Sequence, residues 1–367
     1  MNTFSPEQMT HATAVLNSVR EAWLAREGVT AVDLGFKWSQ GLMTGKLSIR
    51  VHVAQKLPVG ELTEAELFPK EVAGIPVDVI EAEYGLQLLP GGAQLEAAPE
   101  ARTNRYNPVP LGVSVGNPRI TAGTLGAKVY DADTRQPLVL SNWHIFVGSP
   151  TAVPGEPIWQ PGPLDGGYPT DTFATLSRSV LGPHDAAVAV LNGSRAVLSE
   201  TVEGDTIEDV TAPQLGMLVW KSGRTTERTE GFIDGIQMST SVNYGAAGVR
   251  VIQEVFRVVP RPGMGNVEVS MGGDSGAVWV DEASGKGIGL HFAGEIGNAP
   301  EHALANELQP VLTLLNVLMP AQLPAPPEPD PAPIGPPDDD DNETPPMPGF
   351  WQRLWQGIKS AWQSLFG

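Results

Sequence analysis

At 367 residues the chain is long enough for two or three domains, and its 41% hydrophobic content is ordinary for globular cores. A net charge of -19, with no clustered Lys or Arg, argues against a nucleic-acid partner. The absence of cysteine excludes disulfides, a thiolate nucleophile and a cysteine-ligated metal, and neither metal nor cofactor is expected.

The first fifteen residues lack a basic start followed by an apolar core, and no run of eighteen apolar residues occurs, so a cytoplasmic location is expected. Ser5, Pro6 and Gln8 form a helix start, and Met9, Ala12, Leu16, Val19 and Trp23 continue it at helical spacing until Gly28. Strands are expected at 29–38, 47–53 and 75–82, with a short helix at 61–68. Leu47, Ile49, Val51 and Val53 alternate with Ser48, Arg50 and His52, which places His52 on a solvated face. Residues 1–90 therefore read as a small α+β domain, and the small, polar stretch 91–107 as a linker.

From residue 108 to 319 short apolar runs alternate with Gly, Asn, Asp and Pro clusters, as in an all-β barrel or sandwich. Three segments there carry chemistry. Leu138–Ser141 ends in Asn142-Trp143-His144, an imidazole at a strand end. Asp185 opens the apolar run Ala186–Val190. Ser275 lies in Gly272-Gly273-Asp274-Ser275-Gly276.

Acyl transfer needs each of these groups. A serine hydroxyl is a poor nucleophile until an imidazole takes its proton. A buried carboxylate fixes the imidazole tautomer and stabilises its transient charge. Glycines let two backbone N–H groups converge on the developing oxyanion, here those of Gly273 and Ser275. The order His144, Asp185, Ser275 is hard to explain by three unrelated turns, and Asp165 is the first alternative carboxylate.

With these motifs, residues 108–318 resemble the trypsin/chymotrypsin-like serine proteases, most of all bacterial, cysteine-free members with a Leu-Ser-Asn-x-His segment. The resemblance implies a double six-stranded antiparallel barrel with the catalytic triad in the cleft between the barrels. His144 and Asp185 would lie on the first barrel and Ser275 on the second, which opens near Gly216–Thr226. Asp274 would steady the oxyanion turn. Ala277 departs from the usual glycine, and residues 112–116 make no convincing activation site, so the site is expected to form without cleavage there. Gly289-Leu290-His291-Phe292-Ala293-Gly294 resembles the Gly-Ile-His-Trp-Gly-Gly stretch of glutamyl endopeptidases. This implies a specificity role for His291, Phe292 and Gly294 and an acidic residue before the cut. The substrate would be a protein or peptide. An idle protease fold serving as an interaction scaffold is the competing expectation.

Between Pro320 and Pro348 the chain holds 12 prolines and 7 acidic residues, too few apolar groups for a core, so 320–349 is expected to be an extended, disordered linker. Residues 350–367 read as an amphipathic helix. Trp351, Leu354, Trp355, Ile358, Trp362, Leu365 and Phe366 share one face. Docking on a partner or on this same protein is favoured over a membrane surface.

Overall fold

The computed structural model describes residues 4–39, 42–64, 66–87, 98–296 and 300–324. The expected C-terminal helix, and all of the expected acidic linker beyond Pro324, lie outside the described residues. The structure is mostly β.

Helix α1 (Pro6–Leu24) begins where the sequence places it. Gln8 N donates to Ser5 Oγ (3.2 Å) and Ser5 N to Gln8 Oε1 (2.8 Å), so two donors left over at the helix start are satisfied reciprocally. Its buried stripe, Ala12, Val15, Leu16 and Trp23, shares a core cluster with Leu34, Ile49 and Val51. Those three come from the hairpin β1 (Val29–Ser39) and β2 (Leu42–Val53), beside which β3 (Ile75–Glu81) runs parallel to β2.

This N-terminal region is not set apart as a domain. β1 pairs antiparallel with a strand of the C-terminal half, through Ala31↔Thr240, Val32↔Ser239, Leu34↔Ile236 and Gly35↔Gly235. The chain up to Leu323 forms one compact unit. The end of the expected 91–107 linker is also packed in. Helix α2 (Glu100–Thr103) buries Arg102, whose Nη1 donates to Ser222 Oγ (2.7 Å). At the other boundary, Ala321 N still donates to Glu208 O (2.9 Å), so the packed chain runs past residue 319.

Two further expectations are corrected. The helix at 61–68 is a single 3-10 turn at Val59–Glu61 among the described residues. Ser48, Arg50 and His52 are fully buried rather than solvated. The polar face of β2 is closed off by charged residues on other strands of the same sheet, which compensate its charge. Arg50 Nε donates to Asp33 Oδ1 (2.8 Å), Arg50 Nη1 to Asp234 Oδ2 (2.7 Å) and Arg257 Nε to Asp234 Oδ1 (2.9 Å). Burial alone would raise the Asp33 carboxyl, but Arg50 and His52 hold it at about 2.

The first half of the β region is a six-stranded sheet built from β4 (Ala127–Asp131), β5 (Pro137–Ser141), β6 (Pro157–Trp159), β7 (Thr172–Leu181), β8 (Asp185–Leu191) and β15 (Val317–Leu318). Its order is β6-β7-β8-β5-β4-β15. Helix α3 (Trp143–Phe146) follows β5 directly. The second half contains β9 (Leu218–Gly223), β10 (Glu227–Asn243), β11 (Val249–Val259), β12 (Val278–Asp281), β13 (Gly287–Glu295) and β14 (Ala303–Glu307), followed by α4 (Leu308–Leu314). These strands run β9-β12-β13-β14-β11-β10, and β9 pairs again with β10, which closes a six-stranded antiparallel barrel. The β1–β3 layer extends that barrel's sheet through β10.

Candidate active site

The sequence that ends β5 places His144. Asn142 leaves the strand in an extended conformation, and one helical turn, α3, buries Trp143, His144, Ile145 and Phe146. Asp185, the first residue of β8, is fully buried. Its carboxylate accepts three hydrogen bonds: His144 Nδ1 to Oδ2 (2.5 Å), His144 N to Oδ1 (3.2 Å) and Tyr244 OH to Oδ2 (3.0 Å). The backbone of Asp185 is held as well, since its N–H donates to Asn306 Oδ1 (3.1 Å) and its carbonyl accepts from Asn142 Nδ2 (2.9 Å). A carboxylate only accepts, so the proton of neutral His144 sits on Nδ1 and the lone pair is on Nε2.

That Nε2 atom has no partner among the described residues, and neither does Ser275 Oγ. Both residues line one cavity of about 300 Å³, together with Trp143, Tyr244 and Gly273. The structure therefore brings His144 and Asp185 into direct contact. It places Ser275 at the same cavity without a hydrogen bond between Oγ and Nε2. Asp165 is engaged elsewhere, accepting from Ser114 Oγ (2.5 Å) and from Arg224 Nε (2.9 Å).

The turn around Ser275 is held from both halves of the chain. Thr124 Oγ1 donates to Gly273 O (2.8 Å) and Thr124 N to Ser275 O (2.8 Å). Gly276 N donates to His291 O (2.9 Å). Gly276 has φ +98°, and a Cβ there would lie 2.2 Å from Ser141 Oγ and 2.3 Å from Thr124 O, so no other residue fits. Among the described residues no group accepts from the N–H of Gly273 or of Ser275, the pair expected to face an oxyanion.

Asp274 points the opposite way and is fully buried. It accepts from Thr225 N (2.8 Å), Thr226 Oγ1 (2.6 Å) and Met271 N (3.0 Å), and it pairs with Lys221 Nζ at 3.1 Å. Lys221 is itself fully buried. A buried lysine thus compensates the carboxylate that accepts from the turn.

The expected specificity residues lie together on β13 but differ in surroundings. Phe292 is part of the core. His291 is fully buried, edge-on to Trp279 with centroids 6.2 Å apart, and is not among the residues lining the cavity. Burial, then repulsion from Lys221, lowers its imidazole to about 3. Neither of its ring nitrogens has a hydrogen-bond partner among the described residues. Gly294 pairs with Gly85.

Sequence reasoning missed Tyr244, Asn306, Lys221 and the cavity-lining pair Leu86 and Gln87. None of these stands in a local motif; only the folded sheet brings them to the site.

No family model matches the chain, and no curated protein matches it. The solved structures it resembles are bacterial trypsin/chymotrypsin-like serine proteases. Thermobifida fusca protease A is 16% identical, with 57% of this chain and 97% of that one covered and a TM-score of 0.43. A glutamic-acid-specific serine protease, described as using a histidine triad in substrate binding, is 16% identical over 57% of this chain and 100% of that one (TM-score 0.44). Cellulomonas bogoriensis chymotrypsin is 17% identical over 58% and 98% (TM-score 0.41). At this distance they carry no weight for individual residues; the side-chain geometry does.

Proposed function

We propose that this chain is a serine endopeptidase that hydrolyses peptide bonds through an acyl-enzyme on Ser275. One observation carries the reading. The Asp185-bound imidazole presents an unpartnered Nε2 to the cavity that also holds an unpartnered Ser275 Oγ and the Gly273 N–H. His144 takes the Ser275 proton as Oγ attacks the substrate carbonyl, then returns it to the leaving amine. Asp185 keeps Nε2 unprotonated at the start and stabilises the imidazolium that forms. The N–H groups of Gly273 and Ser275 receive the oxyanion.

The competing reading, an idle protease fold used as a scaffold, draws on the missing Oγ–Nε2 hydrogen bond. Catalytic hydrogen bonds are often loose before substrate binds, so the gap alone does not decide against catalysis. Labelling with a fluorophosphonate decides. The full chain is expected to take up one probe, on Ser275, and Ser275→Ala none. Ser275→Ala is also expected to lower peptide cleavage by about 10⁶-fold. A folded wild-type chain that neither reacts with the probe nor cleaves a peptide library supports the scaffold.

A further inference from the structure

The cavity that holds His144 and Ser275 is poor in charge. Among the described residues no carboxylate lines it, and the one lining side chain with a permanent charge is Arg119. In a chain with 42 acidic and 23 basic residues, a lone cation at the candidate catalytic cavity sets the sign of what is attracted there.

Arg119 is fixed to the helical turn that carries His144. Asn117 N donates to Ile145 O (3.1 Å) and Asn117 Nδ2 to Phe146 O (3.3 Å), which ties the turn before Arg119 to α3. Asn117 in turn accepts from Arg119 N at Oδ1 (3.0 Å) and from Ile120 N at its carbonyl (3.1 Å). Ile120 is wedged between Gly116 and Gly148, where a Cβ would stand 2.7 Å from Ile120 Cδ1 and 2.3 Å from Ile120 Cγ2. Further on, Thr124 N reaches Ser275 O (2.8 Å), so this stretch runs from Arg119 to the turn of the nucleophile.

The Arg119 guanidinium is half exposed, and its Nη1 pairs with Glu156. That carboxylate is itself held by Asn117 Nδ2 (3.1 Å) and Val153 N (3.1 Å). Glu156 therefore steers the fork without using it up. A guanidinium has five N–H donors, and among the described residues only Nη1 is engaged. A peptide bound for acyl transfer has its carbonyl carbon at Ser275 Oγ and its leaving nitrogen toward His144 Nε2, so the chain beyond the cut departs past His144. The wall tied to the helix of His144 is the one that carries Arg119. Three residues of an extended peptide cover about 10 Å, comparable with the width of a cavity of about 300 Å³.

We propose that Arg119 determines specificity on the leaving side of the cut by binding a carboxylate there. The preferred substrates are then peptides with Asp or Glu among the first three residues after the scissile bond. The proposal rests on the serine endopeptidase reading and names the substrate class of that same site. The planar fork takes a carboxylate through two parallel N–H···O bonds. The apolar neighbours Ile120, Ala122 and Ile145 offer no competing charge along this wall.

The test uses the purified full chain and its Arg119→Met, Arg119→Lys and Arg119→Glu variants. Cut positions in a diverse peptide library are read by mass spectrometry. Values of kcat/KM are then measured on matched peptides that differ only by Glu, Gln or Lys at the enriched position. Wild type is expected to enrich Asp and Glu at one of those three positions and to prefer Glu over Gln by about 10-fold, a ratio that shrinks as salt is raised. Arg119→Met should bring the ratio to about 1, Arg119→Lys should leave it between the two, and Arg119→Glu should turn the preference toward Lys. Each ratio is taken within one variant, so a change in the amount of folded protein cancels. Wild type that reacts with a fluorophosphonate at Ser275 but shows no acidic preference beyond the cut, or cuts no peptide, overturns the proposal and leaves the endopeptidase reading standing. The same follows if Arg119→Met keeps the wild-type ratio. Wild type that neither labels nor cuts removes both.

Discussion

Asp185 is closely constrained, because three donors converge on its two oxygens. In Asp185→Asn the amide either donates toward Nδ1 or turns only its carbonyl there, and the imidazole loses its fixed tautomer. The expected outcome is a fall in kcat/KM of about 10⁴-fold, read on any cleaved peptide. Near-normal rates would move the orienting role to another carboxylate, and Asp165 is already tied to Arg224. Tyr244 is a positioning residue acting through Asp185. Burial, reinforced by the Asp185 charge, raises its phenol well above its usual value, so it stays a donor at all working pH. Tyr244→Phe removes one neutral hydrogen bond, worth about 1 kcal/mol, and should lower kcat about 5-fold with KM unchanged. An unchanged kcat would show that the two bonds from His144 suffice. At this scale the three residues of the proposed acyl-transfer constellation stand out in the sequence because each sits in its own local pattern. Tyr244 is not, because it stands 59 residues from its partner with nothing local to mark it. His52 misleads for a different reason: alternation reports which face of a strand is polar, not whether that face is wet.

The turn that carries Ser275 depends on an element the motif does not contain, the hairpin of β9 and β10. Lys221 on β9 and the Thr225–Thr226 corner supply donors to Asp274. Burial alone would raise the Asp274 carboxyl, but Lys221 and Thr226 hold it below its ordinary value. Lys221→Met leaves that carboxylate buried without its cation, which typically costs about 3–5 kcal/mol. Denaturant unfolding should show the loss, and fluorophosphonate labelling of whatever remains folded should slow, since the turn loses its anchor. Lys221→Met with unchanged stability and labelling would mean the four N–H and O–H donors hold Asp274 alone. The regular elements with caps or strict alternation, α1 and β2, are legible in the sequence. Among the described residues of 61–68 no α-helix forms, and local features bear on this. Thr63 N and Oγ1 both bond Glu66 Oε2, at 2.7 and 2.6 Å, and Pro69 disfavours helical backbone at Phe68.

For the whole molecule, the expected boundary near residue 90 fails because sequence patterns describe strands and not their partners across the sheet. The same burial that joins the N-terminal strands to the barrel also traps titratable groups, and this sets how stability varies with pH. His291 and His302 are each lowered by burial to about 3 from 6.5. His52 and His184 are lowered too, also by burial first. The unfolded chain binds these protons below 6.5 while the folded chain does not, so their stabilising effect is whole above 6.5 and is lost as pH falls toward 3. At pH 5 His291 and His302 each account for a loss of roughly 2 kcal/mol relative to pH 7. Burial acts in the opposite sense on Glu307 and Glu301, raised from 4.5 to about 7 and about 9. The folded chain keeps their protons where the unfolded chain has released them, so that stabilisation is whole below 4.5 and is lost as pH rises through 7 and then 9. Between 4.5 and 6.5 His291 and His302 offset the two carboxyls, the lowering of His52 and His184 tips the balance to the histidines, and above 6.5 the raised carboxyls act. Thermal stability should therefore peak near about pH 6.5 and fall on both sides. Melting of the Ser275→Ala chain across pH 4–9, which avoids self-digestion, checks this. His302→Gln should flatten the acid limb and leave the alkaline limb in place. A maximum below pH 5 would show that the buried histidines gain protons without opening the fold.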